Sequence, residues 1–326
     1  MTTSHVSNAL AIVEALALAF GNQPFSPDMA QAIGIGRQRI RTAEKRGHIA
    51  RIHRGLYVAT DPLSVEADPR ARARAALAPL GDIPAVITGR LSGDLHGLPF
   101  VGPRTRLPEI GVSEIMIPRA ATPRCGYRGV NAVVRRVEQL PHDATDIDGI
   151  RVTSLLHTAI DMARMGTRTL DRPRARALPL PEALVVLDAA TSRLGAESPR
   201  EALLMVRSLR ARFRYAPGIR AVDAAVKFVD PRAENALESW SRGHMIVYGL
   251  PMPLSQAWVT GADGGDYRVD FCWPELGIVG EADGLAKYGD SPEEFRRAKS
   301  RELERQRALE EAGWIVVRWT WDELAR

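Results

Sequence analysis

One stretch near the C-terminal end, residues 267–284, constrains the fold most because it reads as a β-hairpin. Two strand-like runs, Tyr267–Trp273 and Ile278–Asp283, flank the turn-forming sequence Pro-Glu-Leu-Gly. A turn centred on that sequence places Asp270 opposite Glu281, with Cβ atoms roughly 5 Å apart. The hairpin is therefore predicted to bring two acidic side chains together.

Alternation along the strands places Asp283 on the same face as Asp270 and Glu281. The opposite face is predicted to be apolar and core-facing: Val269, Phe271, Trp273, Ile278 and Ala282. Like charges that face each other destabilise a sheet, so the acids are expected to bind a cation or to pair with basic side chains. Carboxylates suit Mg²⁺ or Mn²⁺, and such an ion can activate water for phosphodiester hydrolysis. The competing interpretation is a surface hairpin whose acids pair with basic residues: Arg268, Lys299 or Arg301.

From about residue 233 onwards, the sequence resembles the DUF559-type branch of the PD-(D/E)XK nuclease superfamily, which are relatives of the very-short-patch repair endonucleases. The resemblance rests on an ordered set of motifs: ENALESWSR, GLPMPLSQ, YRVDFCWPE, EADGLAKYG, AKSRE and GWIVVRWTWDEL. It implies a restriction-endonuclease-like core of helix, hairpin, helix and strand that cleaves DNA with a divalent metal ion.

The same resemblance assigns roles to individual residues. Asp270 and Glu281 match the metal-binding acids, and Glu238 matches the acid of the preceding helix. The superfamily usually has Lys two residues beyond the second acid, but this chain has Asp283, which is interpreted as a further ligand. A basic residue from the following segment is expected to neutralise the phosphate: Lys287, Lys299 or Arg301.

Residues 5–59 read as a winged helix-turn-helix. An apolar-rich helix over Val6–Phe20 precedes a second helix that Ser26 and Pro27 begin. A third helix from Arg37 to Arg46 and two short strands complete the pattern. Basic residues on this helix and on the wing are predicted to bind duplex DNA: Arg37, Arg39, Arg41, Lys45, Arg46, Arg51 and Arg54. A solvated arginine face on a protein-binding domain is the alternative.

The run GHIARIHRGLYVA resembles the end of the winged-helix domain of AbiEi-type antitoxins. Two later runs, RLSGDLHGLP and VTSLLHTAIDMAR, resemble the region that follows it in that group. Antitoxins of this group bind operator DNA and repress the promoter of a toxin–antitoxin pair. The resemblance therefore implies DNA as one partner and a nucleotidyltransferase-like toxin as another.

The composition is that of a globular α/β protein, α+β overall. The chain has 326 residues, a net charge of +5, and 45% hydrophobic and 25% charged residues. Its modestly basic balance is compatible with a polyanionic partner. We find no signal peptide and no apolar run of membrane-spanning length, so a cytoplasmic location is expected. Three domains are predicted: a winged helix (1–62), an AbiEi-like α+β middle region (63–212) and a PD-(D/E)XK restriction-endonuclease-like domain (213–326).

Taken together, these features favour a metal-dependent DNA endonuclease that the winged helix places on duplex DNA, in defence or in exclusion of mobile elements. The alternative is an AbiEi-like transcriptional repressor or antitoxin that retains a catalytically inactive nuclease fold. A third interpretation is a protein-binding adaptor that uses the middle region.

Overall fold

The structure is a computed structural model that describes residues 3–21, 23–53, 55–59, 68–101, 113–121, 132–166, 176–283 and 292–325. For residues 3–10, 52–53 and 292–299 the description covers the backbone alone. The chain forms two compact units. The first unit contains residues 1–97 and 104–176, and the second contains residues 98–103 and 177–326.

The first unit begins with three helices and a two-stranded antiparallel sheet, an arrangement compatible with a winged helix. These elements are α1 (Thr3–Phe20), α2 (Pro27–Ala32), α3 (Arg37–Lys45), β1 (Ala50–His53) and β2 (Leu56–Val58). The predicted start of α2 is confirmed, because the Ser26 side chain accepts a hydrogen bond from the Met29 backbone N–H at 3.2 Å. Buried Phe25 and Tyr57 exchange backbone hydrogen bonds of 2.9 and 3.0 Å, which attach the wing to the helices.

A mixed five-stranded sheet follows in the same unit, with strand order β5-β4-β3-β7-β6. Its elements are α4 (Pro69–Leu77), a 3-10 turn (Ala78–Leu80), β3 (Val86–Thr88), α5 (Gly89–His96), β4 (Ser113–Pro118), β5 (Ala132–Val137), β6 (Thr145–Ile147), β7 (Ile150–Val152) and α6 (Leu155–Met165). β3 is parallel to β7 and antiparallel to β4, and its side chains are fully buried. Helices and strands therefore share one apolar core in this part of the unit.

The second unit places helices around a four-stranded sheet of order β11-β10-β9-β8. Its elements are α7 (Leu180–Arg193), α8 (Pro199–Arg210), a 3-10 turn (Ala211–Phe213), α9 (Ile219–Ala225), a 3-10 turn (Val226–Phe228), α10 (Ala236–Val247), β8 (Leu254–Thr260), β9 (Asp266–Trp273), a 3-10 turn (Pro274–Leu276), β10 (Ile278–Asp283), α11 (Pro292–Glu311), β11 (Ile315–Thr320) and α12 (Trp321–Leu324). β8, β9 and β10 are antiparallel neighbours, and β11 is parallel to β10.

The predicted hairpin and its register are confirmed. The β9–β10 ladder pairs Ile278 with Trp273 and Gly280 with Phe271. Gly277 adopts a φ of 64° after the 3-10 turn, a left-handed conformation that glycine tolerates without steric cost. Helix α10 and strand β8 precede the hairpin, and helix α11 and strand β11 follow it.

The expectation that only one face of this hairpin is buried was wrong, because side chains pack on both faces of the sheet. One face joins a cluster with α10: Phe271, Trp273, Ala282, Leu237 and Trp240. The other face joins a cluster with α11: Val269, Cys272, Val279 and Leu309. Val269 thus lies in a different cluster from Phe271. On the neighbouring strand β8, Ser255 pairs with Phe271 and Ala257 pairs with Val269, and the ladder skips Gln256 between them. The acids of the hairpin consequently lie in a covered sheet rather than on an open polar face.

Helix α7 is buried along most of its length and packs against α10. The domain boundary predicted at residue 212 falls inside the second unit, because α7 and α8 belong to the same compact body as the sheet. The approach of α7 and α10 is close: a Cβ added at Gly243 would lie 2.4 Å from the Cα of Pro181. Gly243 is therefore required by packing rather than by its backbone conformation.

We predict that Gly243→Ala destabilises the protein. On an exposed helix the same change would be stabilising by up to about 1 kcal/mol, but overpacking against a backbone atom costs about 1–3 kcal/mol. Urea unfolding measures the difference. Ser208→Ala, on the exposed side of α8, is the control for helix propensity and should stay within about 0.5 kcal/mol of the native chain. A Gly243→Ala protein as stable as the native chain would contradict this account of the α7–α10 contact.

Candidate nucleic-acid interface and carboxylate cluster

The predicted basic residues of the N-terminal domain lie on its surface. Ile40 and Ala43 turn one face of α3 into the core, which leaves the basic face of that helix to solvent. Six of the seven predicted DNA-binding residues are described and exposed: Arg37, Arg39, Arg41, Lys45, Arg46 and Arg51. The seventh, Arg54, lies outside the described residues.

Two of these cations have acidic neighbours. Arg37 Nη2 lies 2.6 Å from Asp28 Oδ1, and Arg51 Nη1 lies 3.9 Å from Glu44 Oε1. The hydrogen bond to Asp28 raises the pKa of the Arg37 guanidinium. Exposed pairs of this kind contribute little to stability, so a phosphate oxygen can replace the carboxylate at small cost. The basic face of α3 is consequently available to a polyanion.

A second candidate site lies in the sheet of the second unit, where Gln256 connects two carboxylates. Its Nε2 donates to Glu238 Oε2 at 2.8 Å and to Asp270 Oδ1 at 3.3 Å. Gln256 has a φ of 52°, in the left-handed region that a non-glycine residue rarely adopts. A neutral amide from a strained position on β8 therefore lies between an acid of α10 and an acid of β9.

Glu238 is buried, with 3% of its surface exposed. Its Oε2 accepts a hydrogen bond from the Glu234 backbone N–H at 2.9 Å, and its Oε1 accepts one from Asn235 Nδ2 at 2.5 Å. Burial, reinforced by the nearby negative charge of Asp270, raises the pKa of Glu238 to about 7. Glu238 is thus a carboxyl group that exchanges its proton near neutral pH.

Glu281 faces a cation supplied by the chain itself. It is 3% exposed, and Arg305 of α11 donates from Nη2 to Glu281 Oε1 at 2.5 Å. The same nitrogen lies 2.5 Å from the backbone oxygen of Arg268. Asp270 Oδ2, in turn, accepts a hydrogen bond from the Ala282 backbone N–H at 2.8 Å. The two acids of the hairpin therefore have different partners, one a guanidinium and the other a backbone amide.

Asp283 is also directed towards an arginine. Arg318 Nη1 of β11 lies 3.3 Å from Asp283 Oδ2 and forms a second ion pair with Glu302 of α11. Asp283 is therefore part of a charge network between β10, β11 and α11.

Of the other three predicted catalytic residues, one has a described side chain. Arg301 is exposed on α11, the side chain of Lys299 lies outside the description, and Lys287 falls in a segment that is not described. Among the described residues, no group of three His, Cys, Asp or Glu side chains is placed to hold a metal ion. Glu281 and Asp283 are paired with arginines, so a divalent cation could bind them only after those ion pairs open. The Mg²⁺ or Mn²⁺ site stays a prediction.

Sequence reasoning missed three residues of this cluster: Gln256, Arg305 and Arg318. Gln256 could have been predicted from the GLPMPLSQ motif. If that motif begins a third antiparallel strand, β8, the register of β8 with β9 places Gln256 opposite Asp270. For Arg318, the parallel pairing of β11 with β10 sets Arg318 beside Glu281, a contact between strands that are far apart in sequence. Arg305 lies one helical turn beyond the predicted Arg301.

The two motifs of the middle region, RLSGDLHGLP and VTSLLHTAIDMAR, meet in a buried polar cluster. Fully buried Asp161 accepts hydrogen bonds from Thr88 Oγ1 at 2.5 Å and from Arg135 Nη2 at 2.8 Å, and Arg164 Nη2 pairs with it at 2.5 Å. The Ser92 and Thr158 hydroxyls lie 2.9 Å apart and connect α5 to α6. These contacts give the motifs a role in holding the first unit together.

Comparison with known proteins identifies a family match for the N-terminal segment. Residues 14–60 match the family model described as a transcriptional regulator, AbiEi antitoxin. That segment is AbiEi antitoxin-like. It contains α2, α3 and the wing, which together carry the exposed basic residues.

The curated relatives are two uncharacterized proteins, MT2308 and Rv2248, from two strains of Mycobacterium tuberculosis. Each is 34% identical over 180 residues, which cover 55% of this chain. The chain spans 58% of the length of these relatives. The structural comparison finds the RV2827C protein of the same organism, with a TM-score of 0.41 and 14% identity over 77% of this chain and 88% of that one. None of the described helices is long and apolar enough to cross a membrane.

We predict that the stability of the native chain falls between pH 6 and pH 8, in part through Glu238. Because its folded pKa of about 7 lies above the ordinary value of 4.5, protonated Glu238 stabilises the fold at low pH. That contribution is lost as the pH rises through about 7. Asp270→Asn removes the neighbouring charge and should therefore stabilise the protein at pH 8 by about 1 kcal/mol relative to the native chain.

Urea unfolding at several pH values measures this effect. Asp266→Asn is the matched control, because this exposed carboxylate lies on the same strand and its hydrogen bond from Thr260 can be kept by the amide oxygen. The assignment of this pH dependence to Glu238 would be contradicted if the free energy of unfolding of the native chain did not change between pH 6 and pH 8. It would also be contradicted if the two variants showed the same dependence of unfolding free energy on pH.

Proposed function

We propose that this protein is a DNA-binding transcriptional regulator of the AbiEi antitoxin type. The observation that carries the proposal is the coincidence of two findings in one segment. Residues 14–60 match the regulator family, and the same residues display an exposed cationic helix beside a two-stranded wing. The proposal gives the N-terminal domain the recognition role and assigns no catalytic step to it.

The dimensions of α3 support binding in the major groove. An α-helix with its side chains is about 10–12 Å in diameter and so fits a groove roughly 12 Å wide, and the 9 residues of α3 give it a length of about 14 Å. Arg39, Arg41 and Lys45 lie on its exposed side and supply guanidinium and ammonium groups for phosphates or base edges. Arg51 extends the same charge to the wing.

The regulated site proposed here is the promoter of the protein's own operon, and the second proposed partner is a toxin. The support for both is the family description, which names an antitoxin. A nucleotidyltransferase-like enzyme is the toxin class that this resemblance implies. Binding to chromosomal DNA would place the protein in the cytoplasm.

We predict that Arg39→Ala/Arg41→Ala weakens binding to DNA from upstream of the gene by at least about tenfold. Each lost phosphate contact should also reduce the slope of log affinity against log salt by about 0.9. Fluorescence anisotropy over a salt series, in EDTA, measures both quantities. The native chain should bind the upstream duplex more tightly than a random duplex of the same length.

The control removes two equally exposed arginines from elsewhere, Arg136→Ala/Arg307→Ala. It lowers the net charge by the same amount and should retain most of the affinity. If the α3 variant and this control bind alike, α3 is not the recognition helix. If the native chain treats upstream and random duplexes alike, the regulator proposal fails.

A metal-dependent nuclease is the second candidate, and two observations favour it. The order α10, β8, β9, β10, α11, β11 agrees with the core that the superfamily resemblance implies. Glu238 and Asp270 also lie close enough for one charge to raise the pKa of the other group. This candidate requires the Glu281–Arg305 ion pair to open before Glu281 can become a ligand.

Incubation with supercoiled plasmid in Mn²⁺ tests this candidate, and the regulator proposal predicts no nicking. Under that proposal, DNA binding should also be the same in Mn²⁺ and in EDTA. Nicking that disappears in Asp270→Asn and Glu281→Gln, but persists in the exposed control Glu310→Gln, would instead establish the nuclease.

A further inference from the structure

A second concentration of positive charge lies in the second unit, between Arg200 and Lys227. This stretch of the sequence contains seven basic and two acidic residues, a net charge of +5 that equals the net charge of the whole chain. It folds as nearly all of α8, the 3-10 turn after it, and α9 with its own 3-10 turn. The rest of the chain is therefore neutral on balance, since the net charge of +6 in residues 37–54 is offset by acidic residues elsewhere.

Most of these cations are exposed. One arginine has a structural role, since Arg210 forms two 2.6 Å hydrogen bonds with Asp223 and so attaches α8 to α9. Besides Arg200 near the start of α8, the other basic side chains of the segment are exposed around this contact: Arg207, Arg212, Arg214, Arg220 and Lys227. Among the described residues, four of these five form no ion pair: Arg207, Arg214, Arg220 and Lys227.

Tyr215 lies among these cations in an unusual conformation. Its surface is 85% exposed, and its φ is 65°. A bulky residue at positive φ carries backbone strain, and such strain is concentrated at functional sites. The Arg214 guanidinium lies 5.2 Å from the centre of the Tyr215 ring, so the phenol and an arginine are presented together. Burial does not offset the strain at Tyr215, because the side chain is in solvent.

We propose that this segment is a second DNA-contacting surface, formed by Arg207, Arg212, Arg214, Tyr215, Arg220 and Lys227. Guanidinium groups form charge-assisted hydrogen bonds to phosphate oxygens, and the Tyr215 hydroxyl donates to the same class of acceptor. The surface recognises the phosphate backbone of duplex DNA, and the inference rests on the proposed function in that respect. Two contacts on one chain lengthen the bound site and raise the affinity through effective concentration.

The geometry of the guanidinium group, rather than the share of arginine, points to phosphate, because arginine is the common basic residue throughout this chain. The planar fork of arginine matches the oxygen geometry of a phosphodiester, and of the five exposed cations four are arginines. An acidic protein partner remains an outcome of the test below, since it predicts that changes on this surface leave DNA binding unchanged.

The first experiment measures the affinity of the 326-residue chain for upstream duplex DNA over a salt series. Arg212→Ala/Arg214→Ala should weaken binding about tenfold and lower the salt slope by about 2 relative to the native chain. The Arg136→Ala/Arg307→Ala control should change the slope by much less. A slope and an affinity equal to those of the control would overturn the proposal.

Tyr215→Gly separates a role in binding from a role in folding. Glycine adopts a φ of 65° without strain, so the variant should unfold at the same temperature as the native chain or higher. Its affinity for DNA should nevertheless fall. A lower unfolding temperature with native affinity would show that Tyr215 serves the fold and would overturn its place on this surface.

Duplex length distinguishes a failure of this inference from a failure of the proposed function. The second surface should protect DNA outside the segment that remains protected in Arg212→Ala/Arg214→Ala, as seen by footprinting. If the native chain binds upstream and random duplexes alike, promoter recognition fails, while a weaker and less salt-dependent variant still supports the second surface. If promoter recognition holds and the footprints are identical, only the second surface is lost.

Discussion

The ion pair between Glu281 and Arg305 is the interaction on which the interpretation of the second unit depends. A hairpin that brings Asp270 and Glu281 into register concentrates negative charge inside a covered sheet, and a buried charge requires a partner. The fold supplies these partners from its own chain: Arg305 for Glu281, a backbone amide for Asp270, and the Gln256 amide for both Asp270 and Glu238. The sheet therefore compensates its buried carboxylates with hydrogen-bond donors from the chain itself.

The arginines of this protein divide into two groups with different physical roles. Buried arginines neutralise buried carboxylates, as Arg242 does for Asp188 at 2.6 Å and Arg164 does for Asp161. Removing one partner of such a pair leaves an uncompensated charge, so these residues are part of the fold. Exposed arginines collect on α3 and around Tyr215, where the carboxylates near them are few or exposed. The modest net charge of +5 thus conceals two strongly cationic surfaces.

Local patterns in the sequence were sufficient to predict the hairpin, its register and the start of helix α2, because turn and capping chemistry determine them within a few residues. They did not predict which arginine reaches the buried acid. Arg301 and Arg305 lie on the same stripe of α11, one turn or about 5.4 Å apart, so helical periodicity cannot distinguish them. The choice depends on how far α11 is displaced along its axis, which is fixed by the packing of Leu309 against Val279 and Val269. The packing of α11 on β9 and β10 covers one face of the sheet, while α10 covers the other. Neither contact is local in sequence.

The same geometry determines which substitutions can separate a regulator from a nuclease. Alanine at position 281 would leave the Arg305 guanidinium beside a cavity without its carboxylate, a change that costs about 3–5 kcal/mol for buried pairs. Loss of any activity in that variant would then report unfolding as readily as loss of a ligand. An amide at position 281 keeps an oxygen acceptor for Arg305 while it removes the charge that a divalent ion requires. The amide variants therefore test the chemistry of the acids with the least disturbance of the packing that holds them.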